Sequence, residues 1–384
     1  MGRLKIQQVF DNAWKGYAAS FCPSHVQEKA ASSIMDCKSG KLGCNVSVCT
    51  DCGHMDFHNN SCRNRNCPSC QALLKELWID ARKAEVIDAP YFHVVFTIPA
   101  QLNPLVYANQ ALLYSLLHRC SAQTLLELSA DRRFLGATPG IIQVLHTWGQ
   151  ELNFHPHIHC IVSGGGLSRD GKLRTCGSRF FIPARVLAAK FRGKLLASLD
   201  ALHKGGKLSF PASCSSLVAP AAWASLRDRL YNTAWCPHVR ETFNGFGNAI
   251  EYLGRYANRI AITNSRVKSV SADSVTFWAK DYRNNSSLKE VTLSCREFIR
   301  RFMMHVLPPG FQKIRYYGFL SNRFRKERLA VIFRIQGHQR FKSMLAGLPM
   351  DQVLYSLWGV NVHVCTRCGC LGMRPLGRSY VLKG

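Results

Sequence analysis

Two Cys-x-x-Cys pairs, Cys49/Cys52 and Cys67/Cys70, constrain this chain more than any other feature. A pair at that spacing bends the backbone into a knuckle that offers two thiolates to a tetrahedral zinc ion. With 14 residues between them, the two knuckles are expected to close on one zinc. Cys37, Cys44, His54, His58 and Cys62 lie beside them and offer enough further donors for a second site, with Cys37, Cys44, His54 and Cys62 as its leading candidates. The competing reading for these extra residues is packed thiols. Zinc holding this loop rigid would present Arg63 and Arg65 to DNA. A further Cys365-x-x-Cys368-x-Cys370 stands near the C-terminus among Arg367, Arg374 and Arg378. With no second knuckle nearby in the sequence, it is a weaker signal.

Charge narrows the partner. Fifty Lys and Arg against 23 Asp and Glu leave +27, spread from Arg3 to Lys383 rather than gathered in a tail. A folded chain with such a surface suits nucleic acid, because neutralising phosphates releases counterions. A ribosome-associated or membrane-surface protein is the alternative on charge alone. The composition, 47% hydrophobic and 19% charged, excludes a disordered chain. No run approaches the ~18 apolar residues of a membrane span. Residues 1–8 lack a secretory apolar core, so the 17 cysteines are expected in a reducing cytosol.

The hydrophobic periodicity predicts two helices over residues 4–36, a helix from Gln71 toward Asp88 stopped by Pro90, a strand at 92–98 and a long helix over 105–128. Strands at 141–147 and 157–163 are expected to be antiparallel neighbours. A glycine-rich turn is expected at Ser163–Gly166, a hairpin around Asp170-Gly171 and a helix at 184–202. Short strands are expected at 259–263, 267–271 and 275–278. The fold class is α+β with a mostly antiparallel sheet. The expected organisation is a zinc-binding DNA-recognition domain over 1–90, a catalytic domain over 91–306 and a basic C-terminal region over 307–384 carrying the candidate knuckle.

Chemistry is expected at two motifs. In His155-Pro-His-Ile-His159, side-chain alternation puts His157 and His159 on one face of a strand, where two imidazoles chelate a divalent metal. His146, Gln150 and Asn258 are candidates for a third ligand. In Glu251-Tyr-Leu-Gly-Arg-Tyr256, Tyr252 and Tyr256 share a helix face at i and i+4. A tyrosine oxygen can attack a phosphodiester and conserve its bond energy in a phosphotyrosine. Arg255 and Arg259 flank the tyrosines and suit phosphate contacts. Taken singly, a His-x-His pair is as well explained by packing, and for a Tyr-x-x-x-Tyr stripe packing is the commoner case. Together, in a basic chain, they point to metal-dependent strand transfer.

With Ser61-Cys-Arg-Asn-Arg-Asn-Cys-Pro-Ser-Cys-Gln71, His93-Val-Val-Phe-Thr-Ile-Pro99, Leu145-His-Thr-Trp-Gly-Gln150, Gly164-Gly-Gly-Leu167 and Tyr317-Gly-Phe-Leu320 added, the chain resembles, almost end to end, the rolling-circle two-tyrosine HUH transposases of insertion-sequence family ninety-one. HUH denotes histidine, hydrophobic residue, histidine. The resemblance implies an N-terminal zinc-binding domain and an HUH endonuclease core, with His157 and His159 as ligands to Mg2+ or Mn2+ and Tyr252 and Tyr256 as nucleophiles. It also implies cleavage of single DNA strands at element ends through a 5′-phosphotyrosine, followed by rejoining to target DNA. Asn45, Asn66 and Asn258 stand where the family commonly has histidine. The expected setting is the bacterial cytosol, at the nucleoid. A zinc-dependent DNA-binding protein without nuclease activity, or a related HUH replication initiator or relaxase, is the alternative.

Overall fold

The computed structural model describes residues 5–177, 179–235, 237–240, 254, 261–281, 284, 286–337 and 342–376. At its centre is an antiparallel sheet of β3 (Tyr91–Thr97), β4 (Thr138–Trp148), β5 (Phe154–Leu167), β7 (His238–Arg240) and β11 (Ile314–Gly318), in the order β11-β4-β5-β3-β7, with β6 (Leu173–Thr175) attached to β5. β4 and β5 are the expected neighbours and are joined by the 149–153 turn. Both faces of this sheet are covered, which is why β3 and β4 are buried along almost their whole length.

One face carries Val94, Phe96, Ile141, Leu145, Ile158, Cys160 and Val162. It packs under α4 (Asn103–Ala108), α5 (Gln110–Ala130), α6 (Ala184–Lys204) and α7 (Pro220–Asn232). The expected single helix over 105–128 breaks at Asn109, which leaves helical geometry at φ −123°, ψ 40°. Its side-chain amide donates to the carbonyls of Leu105 and Ser209 while its oxygen accepts from the Ser209 N–H, so local hydrogen bonding outcompetes the helix. The opposite face, with Ile142, Val144 and Ile161, packs against α3 (Ala72–Lys83) and α9 (Arg325–Gln336).

A second core joins α1 (Lys5–Phe21) and α2 (His25–Asp36) to α8 (Cys295–Met303) and the three-stranded sheet of β8 (Val267–Val270), β9 (Ser274–Asp281) and β10 (Ser287–Ser294). Ile6, Val9 and Phe10 meet Phe277, Phe298 and Phe302 there. Ser24 starts α2 with a capping box closed by Gln27. The divisions expected near residues 90 and 306 therefore do not separate cores: the N-terminal helices are completed by residues 261–306. The segment after 306 supplies β11 to the central sheet and β12 (Met373–Pro375) to a small sheet with β1 (Cys44–Cys49) and β2 (Met55–Asn59). The remaining helix, α10 (Met350–Trp358), precedes β12.

The Ser163–Gly166 stretch is no turn. It lies inside β5, and its glycines answer to crowding: a Cβ at Gly166 would stand 2.2 Å from the Thr138 carbonyl oxygen and one at Gly164 2.7 Å from Cys176 Sγ. Residues 261–263 are not a strand either, and 259–260 lie outside the described residues. No helix among the described residues is long and apolar enough to cross a membrane.

Candidate functional site

The ladder between β4 and β5 sets His146 directly opposite His157, and β3 sets Thr97 opposite His157 and Val95 opposite His159. Residues 142, 144 and 146 on β4 and 157, 159 and 161 on β5 alternate onto the face that meets α3 and α9. All three imidazoles therefore project together, each offering a ring nitrogen within 4.8 Å of the others. The ladder is irregular between His146 and Trp148, where the strand bends and Trp148 stacks on His146 at 4.6 Å between ring centroids.

The outward nitrogens are engaged. His157 Nδ1 lies 2.6 Å from the His155 carbonyl oxygen and so donates to it, leaving a lone pair on Nε2. His159 Nδ1 lies 2.8 Å from His93 Nε2 on β3. When His159 donates there, its own Nε2 is also bare, and the two Nε2 atoms face each other across 2.9 Å. Two lone pairs at that distance repel unless a cation sits against both. Ligands about 2.1 Å from one ion lie roughly 3.0 Å apart in adjacent octahedral positions and roughly 3.4 Å apart in tetrahedral ones, so the imidazole pair fits an octahedral ion. Burial, assisted by neighbouring His155, lowers the His157 pKa to about 3, which keeps the ring in its neutral ligand form at pH 7.

His305 braces this corner from α8's side. Its Nε2 donates to the Leu152 carbonyl oxygen at 3.0 Å and its Nδ1 accepts from the Thr147 hydroxyl at 3.1 Å, and burial pulls its pKa down to about 4. The Lys313 ammonium lies 4.9 Å over the Trp148 ring, its pKa lowered to about 7 by burial and by nearby Arg65. The sequence reading did not single out His93, His305 or Trp148 as site residues, although His93 and Trp148 stand in motifs that carry the family resemblance. His93 left a further signal, since it shares the period-two face of Val95 and Thr97.

Tyr252, Tyr256, Arg255, Arg259 and Asn258 lie outside the described residues. Gly254, between the two tyrosines, is described and buried, and a Cβ there would stand 2.3 Å from Cγ1 of Ile79 on α3. Ile79 belongs to the buried cluster that α3 forms with Ile142, Val144 and Ile161, so Gly254 lies against the helix that covers the histidine face. Gln150 is turned to other work: its carbonyl accepts from Arg266 and its side-chain oxygen from the Lys280 N–H.

The cysteines gather differently from expectation. Cys37, Cys62, Cys67 and Cys70 form one cluster, and Cys49, Cys52, Cys365 and Cys368 form another. The two N-terminal knuckles thus point into separate clusters rather than onto one ion, because β1 and β2 carry Cys49 and Cys52 away from the 60–71 loop. In the first cluster the Cys70 sulfur lies 3.5 Å from both Cys37 and Cys62. Cys44 begins β1 outside both clusters, and His54 pairs with Asp56 at 3.3 Å, so neither joins a thiolate set. Arg63 is exposed at φ 51°. Arg65 is exposed as well, and it donates to the carbonyls of Phe311, Leu307 and Pro308, a tie between the loop and the main body.

A family model described as a transposase zinc-binding domain, of the IS91 type, matches residues 9–98, and one described as a putative transposase matches residues 140–328. The putative transposase y4qJ of Sinorhizobium fredii (strain NBRC 101917 / NGR234) is 42% identical over 328 residues, spanning 85% of this chain and 82% of its own length. This chain belongs to the IS91 family of transposases. A second family member, the transposase for insertion sequence element IS801 of Pseudomonas savastanoi pv. phaseolicola, is 29% identical over 319 residues, or 80% of this chain and 75% of that one. A solved structure, the conjugative relaxase TrwC in complex with oriT DNA, aligns with 43% of this chain and 71% of its own at 15% identity and a TM-score of 0.25, too slight a likeness to argue from. Within the IS91 family match, the histidine site falls in the putative-transposase segment and the Cys37 cluster in the zinc-binding segment.

Proposed function

We propose that this IS91-family transposase nicks and rejoins single DNA strands at the ends of an insertion sequence, using Tyr252 and Tyr256 as nucleophiles and the histidine site to hold Mg2+ or Mn2+. The observation that carries the reading is the pair of Nε2 atoms 2.9 Å apart with both Nδ1 atoms engaged elsewhere, beside His146. Neutral imidazoles on a buried strand make a ready ligand set, and the remaining positions of an octahedral ion are left for oxygen. A divalent ion bound there would polarise the scissile phosphate and offset charge developing on it.

The chain's own groups do the rest. A tyrosine oxygen attacks the phosphorus, the bond to the 3′ oxygen breaks, and the phenol's proton ends on the freed 3′-hydroxyl. The 5′ phosphate remains esterified to the tyrosine. Attack by another 3′-hydroxyl re-forms the phosphodiester and returns the proton to the phenol, so the exchange needs no outside energy. Two tyrosines let one hold an end while the other opens a second strand. Gly254 against Ile79 supports this reading, because Gly254, between the two tyrosines in sequence, lies against the helix that covers the face carrying the histidines. The net charge of +27 suits a DNA substrate. Cys37, Cys62, Cys67 and Cys70 are proposed to bind a structural zinc.

The test is incubation with Mg2+ and labelled single-stranded DNA bearing the element's ends, followed by a search for a denaturation-resistant protein–DNA adduct. Tyr252→Phe and Tyr256→Phe singly are expected to alter the adduct and the double change to abolish it. Tight binding with no adduct in the unaltered protein would instead mark a DNA-binding protein without nuclease activity.

A further inference from the structure

We propose that Cys49, Cys52, Cys365 and Cys368 hold a second structural zinc ion, in a ribbon assembled from two regions far apart in the sequence. Neither matched segment reaches Cys365, since they end at residues 98 and 328. The inference is independent of the tyrosine chemistry.

The two halves of this site are the same structure made twice. Cys49-Thr-Asp-Cys-Gly-His54 and Cys365-Thr-Arg-Cys-Gly-Cys370 share the pattern Cys-Thr-x-Cys-Gly-x. In the first, the Cys49 N–H donates to the His54 carbonyl at 2.8 Å and the Gly53 N–H to the Cys49 carbonyl at 3.0 Å. In the second, the Cys365 N–H donates to the Cys370 carbonyl at 2.8 Å and the Gly369 N–H to the Cys365 carbonyl at 2.9 Å. Gly53 and Gly369 both take left-handed backbone, at φ 68° and 75°. Each turn needs glycine there, because a side chain at that angle is strained. Both are knuckles of the kind that presents two thiolates in one direction, and they face each other.

Their spacing matches the chemistry. With zinc–sulfur bonds of about 2.3 Å, neighbouring sulfurs of a tetrahedral site lie about 3.8 Å apart. Across the ribbon, Cys49 Sγ lies 3.8 Å from Cys368 Sγ and Cys52 Sγ lies 3.7 Å from Cys365 Sγ. These distances exclude disulfides, whose sulfurs are about 2.05 Å apart. Cys370 is the fifth thiol nearby and is not a ligand in this assignment. It occupies the position of His54 in the twin knuckle, its sulfur is 3.2 Å from both Cys49 and Cys368, too close for a tetrahedral edge, and it hydrogen-bonds to Asp51.

Besides the ion, the junction is held by a short ladder and a few hydrogen bonds, from the Thr50 N–H and hydroxyl to the Gly372 carbonyl, from the Leu376 N–H to the Val46 carbonyl and from the Thr366 hydroxyl to Asp56. β12 contributes three residues, paired Ser47 to Pro375, Val48 to Arg374 and Cys49 to Met373, and the buried cluster around it is Cys49, Cys365 and Met373. So small a core is of the size that needs a metal to stay folded.

The test is metal analysis of the purified full chain by plasma mass spectrometry. Two zinc ions per chain are expected, one in the Cys365→Ser/Cys368→Ser variant and two in Cys370→Ser. One zinc in the unaltered chain, or an unchanged count in the double variant, overturns the proposal. Thiol alkylation read by mass spectrometry covers the case in which the variant misfolds. Cys368 is exposed, as Cys22 is, yet in the holoprotein it should resist alkylation until zinc is chelated, while Cys22 reacts throughout. Equal reactivity of the two before chelation would sink the assignment.

Discussion

His146, His157 and His159 ride on two long strands whose ladder bonds continue on either side, whereas Cys37, Cys62, Cys67 and Cys70 are carried by the end of α2 and by a loop, residues 60–71, with no ladder at all. The imidazoles are placed by the strand ladder and by His93. The 60–71 loop is held instead by short turns, by hydrogen bonds of Asn60, Asn64, Ser69 and Gln71, by the Arg65 tie and by packing of its sulfurs against the second core. A site preorganised by backbone is suited to an ion that must share its positions with substrate oxygen. One organised by the ion is suited to a metal that never leaves.

The largest expected effect tests the thiolate side of this contrast. Cys67→Ser should remove the Cys37-cluster zinc and destabilise the N-terminal region by several kcal/mol, a fraction of the ~10 kcal/mol or more that a structural zinc can contribute. Thermal melting and protease sensitivity near residues 60–71 would show it, and an unchanged melt would mean that the loop holds itself. Next in size, His157→Ala should lower adduct formation on the order of a thousand-fold, about 4 kcal/mol of barrier, while leaving the melting temperature nearly unaltered. A large drop in melting temperature would mean that the imidazoles are structural and the contrast false.

Acid should weaken the sheet side through His305. Its folded pKa, about 4, lies below the ordinary histidine value, so the neutral folded ring contributes stability that is complete above about pH 6.5 and is lost as pH falls toward 4. The full loss is about 3 kcal/mol for this one buried group. His305→Gln should flatten the acid limb of a stability-against-pH curve, and an identical limb in both proteins would place the acid sensitivity elsewhere. The smallest effect belongs to His93→Gln, which removes the imidazole that orients His159. Divalent-ion affinity should fall roughly ten- to a hundred-fold with folding intact. Unchanged affinity would show that the ladder alone fixes the ligand.

Much of this was legible locally. The alternation of His157 with Ile158 and His159 needed only strand periodicity, and α1, α2, α3, α6 and the β4–β5 pairing followed from apolar spacing. Cys37 and Cys62 were among the candidate donors and do gather with Cys67 and Cys70. What misled was proximity along the chain. Cys49/Cys52 and Cys67/Cys70 are near in sequence and were expected to share an ion, yet the β1–β2 hairpin carries one knuckle off to meet residues 365–370. The repeated Cys-Thr-x-Cys-Gly was the available signal, because equal knuckles make natural partners. For Arg65 the charge was visible in the sequence, while its three carbonyl partners, more than 240 residues away, were not. Gly164 to Gly166 read as a turn because glycine permits one, when their neighbours across β5 required the absence of a side chain.

By itself the sequence determined the classes of chemistry: thiolate knuckles, an imidazole pair on one strand face, a basic surface, and an α+β chain of the transposase family. These depend on residue type and on periods of two to four residues, which backbone geometry imposes locally. Only the tertiary structure decided which knuckle faces which, that His93 and His146 complete the histidine site, and that the N-terminal helices share a core with residues 261–306. Those choices are made by burial and strand register between segments that range from neighbouring strands to pieces 319 residues apart, and no pattern of two to four residues encodes such contacts.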